Sequence, residues 1–484
     1  MNRKTNILIG CLLGLLSMML TACNDNDTFT TSPGYLLQMP QDTLSLDTVF
    51  STVPSPHKTF VIHNNSGEGI RIATTKLQKG TQSGFRVNVN GTFLSNSTAH
   101  LIKDMEVRNG DSIRIFVEMT APLQGDNVPR LVEDNLVFTL QSGVQQKVAL
   151  KAYSWDAVLM KDVTYTEDAT LSNLDGKPVV VMGNITVAEG ATLTIEPGTT
   201  LYFHNKAGID VFGTLKAKGE KDKEITFRCD RLDRMVSNLT YDNNPGQWGG
   251  IRFRSGSFGN EIDFADIHAA HNAILCDIST DVTRQSLFLN HSTIHNVKGN
   301  ALAATGCRLN IENTQITNAV DSCLYLLGGD VTITHCTIAQ YFAIEQRGKN
   351  CFVFANAQDG IAYPLKLLVR NSIIKGYDDD NLLWSYGGRN DDMDVTFENC
   401  LLRAVLPTDR DSKFFKDCIF EDVANEATLP NNFFELFDTQ YFFYNFKPKA
   451  GTQAIGTANP SYALPDDRLG NPRTPDKPTM GCFE

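Results

Sequence analysis

The feature that most constrains the fold is a phrase of residues that recurs six times in the second half of the chain. Each copy alternates apolar with variable residues, continues with Asn, His or Asp and a small residue, and ends on an apolar one. The copies begin at Leu287, Leu309, Val331, Leu367, Val395 and, in degraded form, Phe415. Alternation of period two predicts a strand with one buried face, and the polar and small pair predicts a tight turn. Because one coil cannot bury its apolar face alone, the copies predict a stacked solenoid.

Glycines and short apolar alternations precede these repeats. The run from Val187 to Gly219, followed by Trp248-Gly249-Gly250-Ile251, resembles the opening coils of right-handed parallel β-helix proteins of the pectate-lyase-like fold. The resemblance covers roughly residues 155–440, and the expected handedness comes from it alone. It implies a fold and no activity, because lyases, hydrolases, adhesins and spacers share this architecture.

Residues 42–154 have a different organisation. Seven short alternating segments are separated by turn signals such as Asn90-Gly91 and Ser142-Gly143, which predicts a β-sandwich. The order of the segments resembles the immunoglobulin-like modules that precede other domains in surface lipoproteins of Bacteroidota. The chain is therefore expected to be all-β, with an immunoglobulin-like sandwich followed by a right-handed parallel β-helix.

The N-terminus predicts export. Arg3 and Lys4 precede an uncharged apolar run from Ile7 to Leu20, which is typical of a signal peptide rather than a membrane helix. The run ends Leu20-Thr21-Ala22-Cys23, which resembles the bacterial lipoprotein box. The resemblance implies that residues 1–22 are removed, that Cys23 is lipidated, and that the membrane is one partner.

The residues after the lipidation site predict where the protein resides. Asn24-Asp25-Asn26-Asp27 resembles the surface-export signal of Bacteroidota lipoproteins. The expected location is the outer membrane, lipid-anchored and surface-exposed. Residues 23–41 have no periodicity, so they are interpreted as a flexible tether.

Charge and cysteine content exclude some functions. The net charge is −12, without a basic run, which disfavours binding to nucleic acid. Nine cysteines lie between Cys229 and Cys482 without a C-x-x-C pair, so zinc is not indicated. Cys336, Cys400 and Cys418 share one repeat position, which predicts stacked buried thiols. A disulfide between Cys400 and Cys418 would also be geometrically feasible.

The C-terminal segment is rich in aromatic residues. Two clusters occur at Phe433–Phe437 and Tyr441–Phe446. They are interpreted as part of a cap over the open end of the solenoid, with residues 441–484 as the capping segment. A platform for stacking sugars is the alternative. Residues 466–484 resemble the closing signature of Bacteroidota β-helix proteins, with Met480 and Cys482 as departures from it.

One loop contains many side chains that could bind a ligand or take part in catalysis. Residues 377–394 hold six carboxylates, two tyrosines and a tryptophan. Carboxylates can chelate Ca²⁺ or act as an acid and base pair, and aromatic faces stack on sugars. The other interpretation is a solvated acidic insert that packs back through Trp384. The candidate ligand-binding residues are Asp378, Asp380, Trp384, Tyr386, Asp391 and Asp392.

The histidines and the known catalytic motifs provide weaker evidence for a functional site. His268, His271, His291 and His295 are not spaced as a clear metal site, and turn hydrogen bonding accounts for His291 and His335. The motifs of pectinase-type hydrolases and pectate lyases are missing, so no catalytic residue is assigned. The sequence favours non-catalytic binding of a glycan or surface partner along the solenoid. A carbohydrate-active enzyme and a structural spacer are the alternatives.

Overall fold

The computed structural model describes residues 28–173, 176–344, 351–387 and 393–484. The predicted lipidation site Cys23 and the candidate residues Asp391 and Asp392 lie outside this part. The chain divides into two compact units between Trp155 and Asp156. Within the described residues, no helix combines the length and the apolar character needed to cross a bilayer.

The N-terminal unit consists of two sheets that share one hydrophobic core. The first contains Phe29–Thr30, Thr43–Phe50, Gly69–Leu77, Leu101–Val107, Arg130–Leu140 and Gln145–Trp155. The second contains Lys58–His63, Phe85–Val89, Thr92–Phe93 and Ser112–Met119. Its relation to immunoglobulin-like modules stays a prediction.

The predicted tether is too long. Phe29–Thr30 pairs with Gly69 and Ile70, and Leu37 is buried in the core of the N-terminal unit. The Leu37 backbone also exchanges two hydrogen bonds with the Gln146 side chain, at 3.0 and 2.8 Å. Residues 28–41 therefore belong at least partly to the folded unit, because their apolar side chains gain more from burial than from solvation.

The second unit is built mainly of parallel β-helix coils, as predicted, and its long parallel sheets are consistent with the right-handed form. Sheet one contains Val158–Met160, Val179–Val181, Thr200–Phe203, Ile225–Cys229, Ala265–His268, Thr293–Val297, Gln315–Ala319, Thr337–Gln340, Ile373–Gly376, Leu401–Leu402 and Ile419–Phe420. Sheet two contains Val163–Tyr165, Asn184–Val187, Gly208–Val211, Gly250–Phe253, Ile274–Cys276, Leu302–Thr305, Leu324–Leu327, Phe352–Ala355 and Leu382–Ser385. Sheet three contains Ala169–Leu171, Thr192–Ile195, Thr214–Lys218, Asn260–Asp263, Gln285–Asn290, Arg308–Glu312, Gly329–Thr334, Leu365–Arg370, Met393–Glu398 and Phe415–Lys416.

Shorter elements decorate the coils. The antiparallel pairs are Arg234–Val236 with Leu239–Thr240, Ala357–Gln358 with Ile361–Ala362, and Phe434–Asp438 with Phe443–Pro448. One α-helical turn spans Pro430–Phe433. Short 3₁₀ turns span Asn96–Thr98, Tyr241–Asn243, Arg410–Phe414, Glu426–Thr428 and Pro460–Tyr462.

The repeated phrase forms the corner between sheet three and sheet one. Its Asn, His or Asp residue has a positive φ in all six copies, at His291, Asn313, His335, Asn371, Asn399 and Asp417. Asn and Asp tolerate this left-handed conformation better than most residues. The small residue that follows bonds back to the carbonyl two positions earlier, as Ser372 Oγ does to Arg370 at 2.7 Å. The phrase therefore encodes the corner as well as the two strands.

The inward side chains form one continuous core. Its members include Leu193, Ile294, Ile316, Ile338 and Phe397, none of which is exposed. All nine cysteines after Cys23 are free thiols, eight of them buried and Cys418 partly exposed. Cys336 and Cys400 belong to this core, and Cys418 packs against it. Cys400 and Cys418 lie in neighbouring coils, whereas the coil that contains Ser372 separates Cys336 from Cys400, so the predicted stack is interrupted.

Candidate functional site

The predicted binding loop is partly a coil of the solenoid. Leu382–Ser385 is the strand of sheet two that pairs with Phe352–Ala355. The Trp384 ring stacks on Phe354, with 5.9 Å between centroids. Its indole nitrogen donates to Asp411 at 2.9 Å, and the Tyr386 hydroxyl donates to the same carboxylate. The structure thus brings Trp384 and Tyr386 together, and it occupies their polar atoms within the protein.

The acidic candidates lie at another corner. The backbone carbonyl of Asp378 accepts from Arg403 Nε at 3.1 Å and from Asn381 Nδ2 at 2.8 Å. Asp380 accepts a long hydrogen bond, 3.4 Å, from the backbone nitrogen of Leu382. Both residues are partly exposed. Ligand binding by this loop stays a prediction.

The aromatic C-terminal segment packs on the side of the solenoid. Phe433, Phe434 and Phe446 share a second hydrophobic core with outward residues of sheet one, Ile373 and Leu401. These outward positions are apolar in the last coils, so they need a cover. Capping of the last coil stays a prediction for residues 441–484, because the contacts described for this segment are lateral.

Beside earlier coils of the same sheet, a cleft of about 350 Å³ lies between the C-terminal segment and the solenoid. One wall consists of outward side chains of sheet one and adjoining loops: Glu224, Asn243, Asp266, Thr293, His295, Asn296, Gln315, Thr317 and Asn318. The other wall is formed by Phe442, Phe443, Tyr444, Asn445, Phe446, Arg468, Leu469 and Phe483. Phe443 lines this cleft, and its side chain is 59% exposed.

The strand register arranges the polar wall in two rows. Asp266, Thr293 and Gln315 are neighbours across successive coils, and so are His268, His295 and Thr317. Parallel strands lie about 4.8 Å apart, so the first row, whose members all line the cleft, presents a polar group at that interval. In the second row His268 and Thr317 are buried and His295 is partly exposed. The arrangement is a ladder of hydrogen-bonding groups that faces an aromatic wall.

A chain of alternating carboxylates and imidazoles lies at the cleft. Asp266 Oδ1 lies 2.7 Å from His268 Nδ1 and 3.2 Å from His295 Nε2. The other ring nitrogen of His268, Nε2, lies 2.9 Å from Asp242 Oδ1. Arg228 holds Asp242 at 2.9 Å. The two imidazole rings stack with 4.8 Å between centroids, so the four side chains form one compact cluster.

Burial and charge act in opposite directions in this cluster. Burial disfavours the charged form of His268, but the Asp266 and Asp242 carboxylates outweigh it and raise the pKa of His268 to about 10. Burial likewise opposes ionisation of Asp266, yet the two imidazoles hold the pKa of its carboxyl well below the usual value. The pKa of Asp242 is lowered for the same reasons. The cluster therefore keeps both carboxylates ionised at neutral pH.

The sequence pattern draws attention to His268 and His295 but does not predict that they lie side by side. They are separated along the chain and meet only because Asp266-Ile267-His268 lies in register with Thr293-Ile294-His295. The sequence did contain an indication that these histidines are neighbours, since each directly follows an Ile that is buried in the structure. The turn interpretation of His291 was incomplete, because its ring also bonds Asp263 at 2.9 Å and Asp466 at 3.1 Å.

Comparison with known proteins identifies no family for this chain. No family model matches the chain, and no curated protein is similar at a significant level. Among solved structures, pectate lyase Pel9A is 13% identical, with 68% of this chain and 88% of that chain covered at a TM-score of 0.30. The Agl-KA catalytic domain is 11% identical, with coverages of 75% and 79% and a TM-score of 0.22. Similarity this low carries no argument.

Proposed function

We propose that the protein is a lipid-anchored cell-envelope protein that binds a saccharide chain in the cleft beside sheet one. The observation that carries the proposal is a cleft lined on one side by a row of polar groups, Asp266, Thr293 and Gln315, and on the other by aromatic residues, of which Phe443 is exposed. Sugars present hydroxyl groups at their edges and apolar C–H groups on their faces. A site with hydrogen-bonding groups on one side and Phe443 on the other matches both kinds of surface.

The charges of the site favour a neutral or cationic saccharide. The cleft contains the carboxylates of Asp266 and Glu224 and the guanidinium of Arg468, which is bound to Glu224 at 2.6 Å. The chain as a whole carries a net charge of −12. A polyanionic glycan would be repelled by this field.

The binding proposal predicts that Phe443→Ala weakens saccharide binding about tenfold, equivalent to about 1.4 kcal/mol, because the stacking face is lost. Its melting temperature should stay near that of the wild type, since the ring is largely exposed. A glycan array on the purified full chain in detergent identifies the saccharide, and titration calorimetry measures the affinity.

The matched control is Phe212→Ala. Phe212 is also an exposed aromatic residue of the solenoid, at 43%, and it does not line the cleft. This variant should bind as the wild type does. Equal affinity of the Phe443 and Phe212 variants would contradict the location of the site, and silence on the array would favour a structural spacer.

The cluster around Asp266 makes a carbohydrate-active enzyme the second candidate function. A carboxylate and an imidazole 3.2 Å apart at a cleft have the chemistry of an acid and base pair. Release of oligosaccharides from the array ligand, lost in Asp266→Asn, would support a carbohydrate-active enzyme. Binding without product would support the non-catalytic proposal.

The anchor proposal rests on the sequence around Cys23. We expect Cys23→Ala to lose incorporation of labelled palmitate in a bacterial host and to stay unprocessed or become soluble, because acyl chains provide the anchor. Cys11→Ala is the control, since its cysteine lies within the predicted signal peptide, and it should be labelled normally. Equal labelling of both variants would contradict the anchor.

A further inference from the structure

We propose that Asp266, His268 and His295 form a binding site for a first-row transition-metal ion of the zinc class. One ligand atom from each residue lies within 4.8 Å of the other two, and Asp266 Oδ1 contacts both His268 Nδ1 and His295 Nε2. Two imidazole nitrogens and one carboxylate suit Zn²⁺, Co²⁺ or Ni²⁺, whereas Ca²⁺ requires a shell of oxygen atoms. The proposal is independent of saccharide binding.

The distances allow the three atoms to converge. Ligand atoms about 2.0–2.2 Å from a tetrahedral ion lie roughly 3.3 Å from one another. Asp266 Oδ1 is already 2.7 Å from His268 Nδ1 and 3.2 Å from His295 Nε2. The Asp266 and His295 side chains are 31% and 23% exposed, so both have room for a small rotamer adjustment.

Asp242 supplies the support that metal-bound histidines usually have. It accepts from His268 Nε2 at 2.9 Å, and Arg228 fixes its other oxygen at 2.9 Å. A carboxylate on the far nitrogen of an imidazole orients the ring and makes it a better ligand. Asp242 is thus a positioning residue, and it leaves Nδ1 of His268 directed at Asp266.

Charge and access also favour a cation. Glu224, Asp242 and Asp266 provide three carboxylates against the two guanidiniums of Arg228 and Arg468. A charged His268 balances this set, and loss of its proton when the ion binds leaves one net negative charge beside the cation. Asp266 and His295 both line the cleft, so an ion reaches them from solvent. The ion takes the place of the proton between His268 and Asp266, and this proton leaves to solvent. Three protein ligands leave the fourth position open to water, as in catalytic zinc sites.

The test uses the purified full chain, stripped with EDTA and titrated with Zn²⁺ or Co²⁺ in the absence of saccharide. We expect one ion per chain. The Co²⁺ complex should show a tetrahedral d–d spectrum without a thiolate charge-transfer band, because no cysteine is a ligand. His295→Gln should abolish this binding, and Asp242→Asn should weaken it about 10–100-fold.

His204→Gln is the matched control. His204 is a partly exposed histidine of the same solenoid that pairs with one carboxylate, Asp230, at 2.6 Å, and it should not alter the affinity. Absence of binding, a thiolate band, or unchanged affinity in His295→Gln would each overturn the proposal. Because no sugar is present in this titration, its outcome does not test the saccharide proposal, which is tested by the glycan array.

Discussion

Replacing Leu193 with aspartate is expected to unfold the first coils of the β-helix. Leu193 is fully buried between Ala169 and Leu215 of the neighbouring coils. A carboxylate at this position has no partner, and burying it costs about 4 kcal/mol or more. Because coils contact mainly their neighbours, the loss should be local. Hydrogen exchange should show strand Thr192–Ile195 unprotected, while the N-terminal unit stays protected.

The adjacent residue provides the control for this substitution. Thr194 lies on the outer face of the same strand, beside Thr170 and Lys216. Thr194→Asp should change stability by no more than about 0.5 kcal/mol, because the new charge stays hydrated. Similar protection in the two aspartate variants would contradict the alternation that defines the solenoid core.

The second large effect is expected at an ion pair beneath the C-terminal segment. Lys375 and Glu421 have side chains that are 0% and 1% exposed, and they contact each other directly. Lys375 also donates to the Thr428 carbonyl at 2.8 Å and lies 4.1 Å from the centre of the Phe433 ring. Burial lowers the pKa of Lys375 to about 8, although Glu421 acts in the opposite direction. The lysine therefore depends on this carboxylate to remain charged.

Glu421→Gln should destabilise the last coils by about 3–5 kcal/mol, because it leaves a buried ammonium without a counter-charge. Replacing both residues, with Lys375→Met and Glu421→Leu, should restore most of this stability, since well-packed apolar pairs substitute for buried ion pairs. Denaturant unfolding followed by hydrogen exchange at residues 373–376 measures both changes.

An exposed pair calibrates the effect. Lys223 and Glu220 are 66% and 61% exposed, and Lys223→Met should cost less than about 1 kcal/mol. If Glu421→Gln were as mild as Lys223→Met, the C-terminal segment would not seal this face of the solenoid as described.

The coils could be predicted because their information is local. An apolar residue at every second position fixes the buried face, and a residue such as Asn371 with a φ of 48° fixes the corner. Both depend on neighbouring residues in the sequence. The buried position of Ile316 follows directly from its place in the phrase.

The candidate site could not be predicted in the same way. Asp266, His268 and His295 meet through the register of two coils, and the length of the loops between coils varies too much to give that register. The opposite wall comes from Phe443, far along the chain. Conversely, Trp384 is conspicuous in sequence, yet it packs on Phe354 and donates to Asp411. Composition marks such residues, but only tertiary contacts show which faces remain open.

The most direct test of the central claim is a crystal structure of the protein soaked with the strongest ligand from the glycan array. The saccharide should lie in the cleft, with one ring against Phe443 and hydroxyl groups bonded to Thr293 and Gln315, which are partly exposed residues of the polar wall. A saccharide ordered instead against Trp384 and Tyr386 would contradict the proposed site and would support the ligand-binding loop predicted from the sequence.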